Sequence, residues 1–265
     1  MTKPDVQVLI PVHNQPMFVI KCVQSLRQQS RLDPVRPILV CDDGSDQDTQ
    51  DALKVLDDVT VYRNVGAEGF VKSVRRLVNK SDAPYVLILN SDTEALPKAI
   101  EYMAQNLDDG AAVCGALLLY PQNHPVVQWR GRVQHAGVFF DTDGFPQHAF
   151  SHYHPQNKAV NTWRSINAVT GAALMTKREV WDKIGGFDNR FSPGCFEDVD
   201  YTLSVKKLKL EVVYEPKAVM FHFEHASQSQ ADNWFSKTNV ERNLSYLFQK
   251  HGKPDEDSEL FFKVR

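Results

Sequence analysis

The sequence predicts an α/β fold with a mostly parallel sheet, and two observations support that prediction. Short apolar runs alternate with helix-length segments through residues 6–95, the order that builds parallel sheets with right-handed crossovers. Each of these apolar runs ends in a polar or glycine-containing segment. Ligands of such sheets bind beyond the carboxyl ends of the strands, so the first half of the chain is expected to bind a nucleotide.

The elements of this first half follow from periodicity. Residues 6–12, 37–41, 59–62 and 85–89 are compact apolar runs that predict buried strands. Residues 18–29, 48–56 and 68–78 separate them, and the first of these segments places Val19, Val23 and Leu26 at helical spacing. The four strands and three helices therefore alternate without interruption.

The second half is less regular. Strands are predicted at 111–119, 134–140, 168–175, 212–214 and 218–221, and helices at 177–184, 196–208 and 234–250. Residues 141–161 are rich in His, Pro, Gly and aromatics and are interpreted as an irregular, solvated excursion. We expect one domain over 1–265, with a nucleotide-binding half at 1–95, a donor-sugar and acceptor half at 96–227, and a C-terminal helix and tail at 228–265.

Composition narrows the function. The 265 residues carry 30 Lys and Arg against 33 Asp and Glu, and this balance argues against general nucleic-acid binding, which needs a basic face. No apolar run approaches the ~20 residues of a membrane span, and the N-terminus lacks a signal-peptide core. The four cysteines have no paired spacing, so neither a zinc site nor a disulfide framework is expected. A reducing cytoplasmic location is the expectation, with peripheral association at the membrane left open.

Acidic clusters at predicted element boundaries are the main functional candidates. Asp43 follows the second strand, where a carboxylate can accept from the N3–H of a uracil ring; the structural alternative is that Asp43 or Ser45 caps the helix that starts near Asp48. Asp92 follows the fourth strand and suits a hard divalent cation that neutralises a leaving diphosphate. The alternative for Asp92 is a cap on a helix near Pro97.

A second cluster holds Glu197, Asp198 and Asp200 at the start of a predicted helix. Acids favour a first helical turn, but three acids in four residues exceed what capping needs and repel each other. A carboxylate whose pKa is raised by neighbouring acids suits the deprotonation of an attacking hydroxyl. Together with a metal-diphosphate site, such a base makes a sugar-transfer centre.

These motifs, in this order, resemble the family 2 inverting glycosyltransferases from about residue 6 to residue 227. The resemblance rests on the segments at 11–14, 42–45, 64–66, 90–93, 135–137, 170–172, 185–188, 197–200 and on His222. It is greatest to the bacterial branch with a Leu-Asn-x-Asp-Thr motif, which includes rhamnosyl-, galactofuranosyl- and other cell-surface glycan transferases. The resemblance implies a GT-A type fold with a smaller acceptor-side sheet.

The same resemblance implies a role for each site residue. It gives Asp198 as the base, with Glu197 orienting the acceptor or holding Asp198, while Asp200 is expected to cap the helix or pair with a Lys or Arg. It gives Asp92 and His222 as ligands of Mn²⁺ or Mg²⁺, and the role of His225 stays open. Nucleotide contacts are expected from Pro11, His13, Asn14, Asp43, Gly66, Asn90 and Ser91. The donor and acceptor pocket is expected at Gly171, Ala172, Gly186 and Phe187.

The sequence thus predicts a metal-dependent inverting glycosyltransferase. The expected donor is a UDP-sugar, with dTDP-rhamnose next, and the expected acceptor is a glycan or lipid-linked glycan of a bacterial surface polysaccharide. Two rivals stay open: a sugar-phosphate nucleotidyltransferase, and a nucleotide- or glycan-binding module whose catalysis has lapsed. Whether the chain works alone or as a module of a larger synthase is also open.

Overall fold

The computed structural model describes residues 5–29, 36–57, 59–224 and 236–254. His225, whose role the sequence left open, lies outside these residues. The helices are α1 Pro16–Gln29, α2 Gln47–Lys54, α3 Phe70–Val78, α4 Ala99–Asp108, α5 Arg178–Ile184, α6 Glu197–Lys207 and α7 Lys237–His251. The strands are β1 Val6–Val12, β2 Ile38–Asp42, β3 Val59–Arg63, β4 Tyr85–Leu89, β5 Thr93–Ala95, β6 Val113–Leu119, β7 Val133–His135, β8 Val138–Phe140, β9 Pro146–His148, β10 Arg164–Ser165, β11 Ala173–Lys177 and β12 Val212–His222.

Within the described residues, ten of these strands form one sheet in the order β10-β12-β6-β11-β4-β1-β2-β3, with β5 added beside β12 and β7 beside β6. The β4-β1-β2-β3 block is parallel throughout. Strand β11 joins it to the second half through antiparallel pairing with β4 and β6, and β6 pairs in parallel with β12. The result is a single α/β domain, as predicted.

The sheet is buried on both faces. In β1, Leu9 packs on the face that α3 covers with Val74, whereas Ile10 packs on the opposite face with Val19 and Val23 of α1. A strand covered on both sides is apolar at nearly every position, which explains the near-continuous apolar runs of β1 and β4. The exception in β1 is Gln7, which is buried and donates to the backbone oxygen of Pro37 at 2.6 Å. The parallel carboxyl ends of β1, β2 and β4 therefore point to the same edge of a rigid sheet.

The sequence prediction for the second half lacks β10 and starts β11 at residue 168 instead of Ala173, and it differs from the structure in three further places. The run at 134–140 is divided into β7 and β8 at Gly137, whose φ is +102°. Residues 146–148, expected in a solvated excursion, form β9 and pair with β8 in a small separate sheet. The two short strands predicted at 212–221 are one strand, β12, with a register shift between Glu215 and Val219. The register shift interrupts the apolar pattern of β12, so the sequence predicts two strands where the structure has one.

Candidate active site

A cleft of about 410 Å³ opens at the carboxyl ends of the parallel strands. It is lined by the ends of β1, β2, β4 and β12, the start of α3, the loop before β11, the start of α6 with the residues before it, and the small β8–β9 sheet. Its walls include Pro11, Val12, His13, Asp43, Phe70, Ser73, Asn90, Ser91, Asp92, Val138, Pro146, His148, Thr170, Gly171, Ala172, Cys195, Phe196, Glu197, Asp198, Val199, His222 and Glu224. The cleft thus lies where parallel α/β sheets bind their ligands.

The end of β1 supplies the first predicted nucleotide contacts. Pro11 and His13 line the cleft, and His13 Nδ1 lies 2.8 Å from the backbone oxygen of Asp43. Asn14 does not line the cleft: its backbone N–H donates to Ser45 Oγ at 2.9 Å, and its Oδ1 accepts from the backbone N–H of Asp46 at 2.8 Å. In this structure Asn14 therefore links the end of β1 to the loop after β2 through hydrogen bonds.

Asp43 lines the cleft and is also held tightly by the protein. Its Oδ1 accepts from Asn64 Nδ2 at 2.7 Å and from the backbone N–H of Glu68 at 2.8 Å, and its Oδ2 accepts from the N–H of Gly69 at 2.8 Å. A carboxylate has about four lone-pair sites, so these three donors leave room for one more on Oδ2. Asp43 organises the loop before α3 while facing the cleft.

The capping alternative for Asp43 and Ser45 is wrong, because a third residue caps α2. Asp46 precedes the helix, and its side chain accepts from the N–H of Thr49 at 2.9 Å. Gly66 lies beside this loop and outside the cleft lining. A Cβ on Gly44, whose φ is +73°, would approach the carbonyl carbon of Gly66 to 2.7 Å. The backbone of Gly66 thus packs against the β2 turn, whereas a Cβ on Gly66 itself would meet nothing within 4 Å, and its nucleotide contact stays a prediction.

Asp92 and His222 meet at the other end of the parallel block. The Nε2 atom of His222 lies 3.2 Å from Asp92 Oδ1, and both side chains are buried. Antiparallel pairing of β5 with β12 places Thr93 opposite His222, and the N–H of Phe223 donates to the backbone oxygen of Asp92 at 3.0 Å. The capping alternative for Asp92 is also wrong: α4 begins after Lys98 without a side-chain cap.

Gln134 fixes the orientation of the His222 ring, a role that the sequence analysis missed. Gln134 Nε2 donates to the backbone oxygen of His222 at 3.5 Å, so its Oε1 faces His222 Nδ1 at 2.6 Å and accepts that proton. The lone pair of Nε2 then points toward the Asp92 carboxylate. Ligating histidines are usually oriented in this way through their other nitrogen.

The facing pair suits a shared cation. Burial disfavours the charged form of His222, but the Asp92 carboxylate outweighs that effect and raises the pKa of the imidazole. One carboxylate oxygen and one imidazole nitrogen form a donor set that Mn²⁺ accepts readily and Mg²⁺ less so. In the part of the chain that the structure describes, no group of three or more His, Cys, Asp and Glu side chains forms a metal-binding cluster. A cation here would need further oxygens from a ligand.

The first turn of α6 brings Glu197 and Asp198 into the cleft. Asp198 Oδ2 accepts from the N–H of Gly171 at 2.6 Å, and Oδ1 accepts from the N–H of Val199 at 2.7 Å. Burial raises the pKa of Asp198, while these two N–H donors counteract part of that shift. Burial and the neighbouring Asp198 charge raise the pKa of Glu197 well above its ordinary range.

Glu197 and Asp198 differ in how the protein hydrogen-bonds their carboxyl oxygens. The Oε2 atom of Glu197 is buried and has no hydrogen-bond partner among the described residues, whereas both oxygens of Asp198 accept from backbone N–H groups. Environments that push two pKa values apart assign one group as acid and the other as base. This arrangement favours Asp198 as the carboxylate and Glu197 as the protonated partner. Asp200, in contrast, turns away to Lys250 Nζ at 2.9 Å and His251 Nε2 at 2.7 Å.

The structure brings half of the predicted sugar pocket to the cleft. Gly171 and Ala172 line it, and a Cβ on Gly171 would lie 3.4 Å from the Asp198 Cβ. Gly186 and Phe187 do not line it. A Cβ on Gly186 would lie 2.4 Å from the Trp181 ring, and Phe187 is fully buried with its ring 5.0 Å from that of Trp181. Both residues pack in the core around α5.

His148 is a cleft residue that the sequence analysis placed in a solvated loop. It lies on β9, lines the cleft, and its ring centroid is 5.0 Å from that of His135. Burial lowers the pKa of His148. A signal was present: Asp143-Gly144 between two short runs is a typical hairpin turn. The composition of the surrounding loop obscured it.

Comparison with known proteins decides the family. The model of glycosyl transferase family 2 matches residues 7–185, more than half of the chain. The chain belongs to this family. It is a glycosyltransferase by that assignment, and the GT-A type fold agrees with the solved structures it resembles. The matched residues end before α6, so Glu197, Asp198 and His222 are placed by the geometry above.

Two curated relatives are similar along most of the chain. An uncharacterized protein, y4gI, of Sinorhizobium fredii is 25% identical over 254 residues, covering 92% of this chain and 27% of the relative. The O-antigen biosynthesis protein RfbC of Myxococcus xanthus is 28% identical over 251 residues, covering 88% of this chain and 19% of the relative. The chain thus spans about a quarter or less of the length of these relatives.

Two solved structures share the fold at low identity. GalNAc-T7 with UDP, GalNAc and Mn²⁺ superposes with a TM-score of 0.71 at 15% identity, over 92% of this chain and 48% of that chain. The mannosyltransferase PcManGT of Pyrobaculum calidifontis with GDP-Man and Mn²⁺ gives a TM-score of 0.62 at 16% identity, over 94% of this chain and 64% of that chain. Among the described residues of the present protein, no helix is both long and apolar enough to cross a membrane.

Proposed function

We propose that the protein transfers a sugar from a nucleoside diphosphate donor to a hydroxyl of a glycan acceptor, with inversion at the anomeric carbon. The observation that carries the proposal is the convergence of two unlike centres in one cleft. The Asp92–His222 pair lies at the end of the parallel block, and the Asp198 carboxylate lies at the start of α6. The Asp92–His222 pair suits a metal-diphosphate, and the Asp198 carboxylate suits a reacting hydroxyl.

The nucleotide side is proposed to bind through the ends of β1, β2 and β4. Pro11, His13, Asn90 and Ser91 line the wall, and Asp43 Oδ2 retains one acceptor site for a base N–H. A UDP-sugar is the favoured donor, with dTDP-rhamnose next, and the UDP in the GalNAc-T7 structure supports this preference. The GDP-mannose in the archaeal neighbour makes a GDP-sugar the alternative to include in any screen.

Asp92 and His222 are proposed to hold Mn²⁺, or Mg²⁺ in its place, together with diphosphate oxygens. When bound, such a cation neutralises charge that develops on the leaving diphosphate. The Mn²⁺ bound in both structural neighbours supports this choice. The chain's own contribution is the fixed geometry: β5–β12 pairing sets the separation of the two side chains, and Gln134 sets the direction of the imidazole lone pair.

Asp198 is proposed as the general base. Its Oδ2, held by the Gly171 N–H, accepts the acceptor proton as the hydroxyl oxygen attacks from the face opposite the leaving group. Protonated Glu197 would donate a hydrogen bond through its buried carboxyl group, which orients the acceptor without adding a second negative charge. The similarity to RfbC supports a surface polysaccharide as the acceptor, and the bacterial surface-glycan branch is proposed on the same ground.

Calorimetric titration with UDP, in Mn²⁺ and in EDTA, tests the donor and metal sites together. We expect binding in Mn²⁺ that weakens strongly in EDTA, and loss of that difference in Asp92→Ala. Screening UDP-, dTDP- and GDP-sugars for hydrolysis in Mn²⁺ then identifies the donor. Equal UDP affinity in both buffers would refute the metal role. UDP binding without turnover of any sugar or transfer to any glycan would favour the lapsed binding module, and the family assignment argues against nucleotidyl transfer.

A further inference from the structure

The two residues before the proposed base have an unusual backbone. Cys195 and Phe196 have φ angles of +86° and +68°, consecutive values in a region that side-chain-bearing residues rarely adopt. Each such residue is strained relative to ordinary backbone, because its Cβ crowds the adjacent carbonyl oxygen. This conformation turns the chain so that α6 begins at Glu197 with both acids facing the cleft. Something outside the loop must stabilise it.

Asn243 of α7 makes the contacts that do so. Its Nδ2 lies 3.0 Å from the backbone oxygen of Gly194, 2.9 Å from that of Cys195 and 3.3 Å from that of Phe191. The side chain is 1% exposed. Its donors are therefore directed entirely at the loop that precedes the acids.

The neighbouring Arg242 fixes which end of the Asn243 amide faces the loop. Arg242 Nε donates to Asn243 Oδ1 at 3.0 Å, and Arg242 Nη2 donates to the backbone oxygen of Ser192 at 2.9 Å. With Oδ1 occupied by a cation, the NH₂ group must point to the carbonyls. Two adjacent residues of one helix thus bind four backbone oxygens of a single loop.

The rest of α7 is anchored on the far side of the acids. Lys250 and His251 bind Asp200, and Lys250 and Tyr246 bind Asp188 Oδ2 at 3.0 Å and 2.9 Å. Leu247 packs in the core with no exposure. The helix therefore contacts both the loop before the acids and the helix that carries them, and these apolar and ionic contacts dock it without Asn243.

We propose that Asn243 is a positioning residue that holds Cys195 and Phe196 in the left-handed conformation and thereby aims Asp198 and Glu197 into the cleft. The role of Asn243 in holding the backbone of Cys195 and Phe196 follows from its contacts alone. The consequence of this role for turnover rests on the proposed function. An amide is required here because a group of the same size without N–H donors cannot bind three carbonyl oxygens.

The four free cysteines provide a direct measurement. All are buried in the folded protein, Cys195 at the wall of the cleft, so a change in the rate of their alkylation by iodoacetamide, followed by mass spectrometry, reports a change in the local structure around each thiol. In Asn243→Ala we expect Cys195 to be alkylated about tenfold faster, because the buried carbonyl oxygens that Asn243 binds lose their donors. Cys22, Cys41 and Cys114 should stay at the wild-type rate because they lie in the sheet and α1.

Three further variants separate positioning from packing. Asn243→Asp keeps the size but presents oxygens to the carbonyls, so it should behave like Asn243→Ala, whereas a space-filling role predicts wild-type behaviour. Leu247→Ala weakens the docking of α7 without touching the loop and should lower the melting temperature without selective alkylation of Cys195. Ser245→Ala, at an exposed position on the same helix, should leave all rates unchanged.

Kinetics supply the catalytic readout. With a donor that the wild type turns over, Asn243→Ala should lower kcat by about tenfold and leave UDP affinity unchanged, since the nucleotide side does not contact α7. Uniform acceleration of all four cysteines, or selective acceleration of Cys195 in Leu247→Ala as well, would overturn the assignment. An unchanged kcat in a variant in which Cys195 is alkylated faster would also overturn the assignment. If wild type neither binds UDP nor turns over any donor, the proposed function fails, and alkylation still decides the backbone role.

Discussion

The two sides of the cleft are built in different ways. On the nucleotide side, His13, Asp43 and Asn90 each follow directly after a strand of the parallel block, and the sheet itself brings them together. On the transfer side, the Gly171 N–H meets the Asp198 carboxylate across 27 positions, and Asn243 reaches the Cys195 carbonyl across 48 positions. The first wall follows from local order along the chain, and the second depends on distant segments that pair only in the folded protein.

The carboxylates of the two walls also differ in how fully the protein satisfies them. Asp43 accepts from three protein donors that fix the loop before α3. Glu197 keeps a buried oxygen without a partner among the described residues, an expensive state that a bound hydroxyl would relieve. The nucleotide wall is thus prebuilt by contacts within the protein, whereas the transfer wall keeps one hydrogen-bonding position open.

The largest expected effect tests the transfer wall. Asp198→Asn should lower turnover by on the order of 10²–10⁴-fold, because the amide cannot accept the acceptor proton. UDP affinity should barely change. Asp200→Asn is the matched control: it removes an ion pair with Lys250 and His251, so it should lower the melting temperature more than the turnover. Wild-type-like turnover in Asp198→Asn would move the base to Glu197.

The next effect concerns the orientation of His222. Gln134→Ala removes the acceptor of the Nδ1 proton, and loss of such outer contacts typically weakens metal affinity by about 10–100-fold. We expect that loss in a Mn²⁺ titration monitored through UDP binding. Gln147→Ala, at an exposed position on the neighbouring β9, serves as the control. Unchanged Mn²⁺ dependence in Gln134→Ala would show that the imidazole direction does not matter.

A smaller effect tests the prebuilt wall. Asp43→Ala should weaken UDP binding by about 1–3 kcal/mol, the range for a hydrogen bond to a charged group. Because Asp43 also holds the loop before α3, the melting temperature should fall as well. Asn64→Ala removes one of the loop contacts while leaving the carboxylate in place, so comparing the two separates base recognition from loop support. A full loss of UDP affinity in both variants would favour loop support alone.

The smallest effect concerns pH and the anchoring of α7. Burial of Asp188 opposes its ionisation, but the N–H of Arg190 together with Lys250 and Tyr246 lowers its pKa below the ordinary value. A depressed folded-state pKa stabilises the protein above the unfolded pKa, and this contribution disappears as the pH falls through the folded pKa. Wild type should therefore melt higher than Asp188→Asn at neutral pH, and the two curves should converge in acid. A constant difference between the melting temperatures would exclude this linkage.

Elements whose bounds follow from their own sequence were predicted correctly, whereas elements whose position depends on a distant partner were not. The bounds predicted for β1 and β4 agree with the structure, because each strand is almost entirely apolar and buried on both faces and ends at polar residues. Strand β5, only three residues long, was missed, since its position is set by pairing with β12 and not by its own pattern. The hairpin of β8 and β9 was hidden in a stretch whose composition is typical of a loop.

The sequence alone was enough to predict the α/β order and the edge of the sheet at which the cleft opens. Those features depend on apolar periodicity and on residues next to each other in the chain, and both are visible without coordinates. Tertiary structure alone decided that Gln134 orients His222, that Asp200 belongs to α7, and that Phe187 is core. Each of these contacts depends on which distant segments pack together, and the sequence pattern of one segment does not show which other segment it will contact.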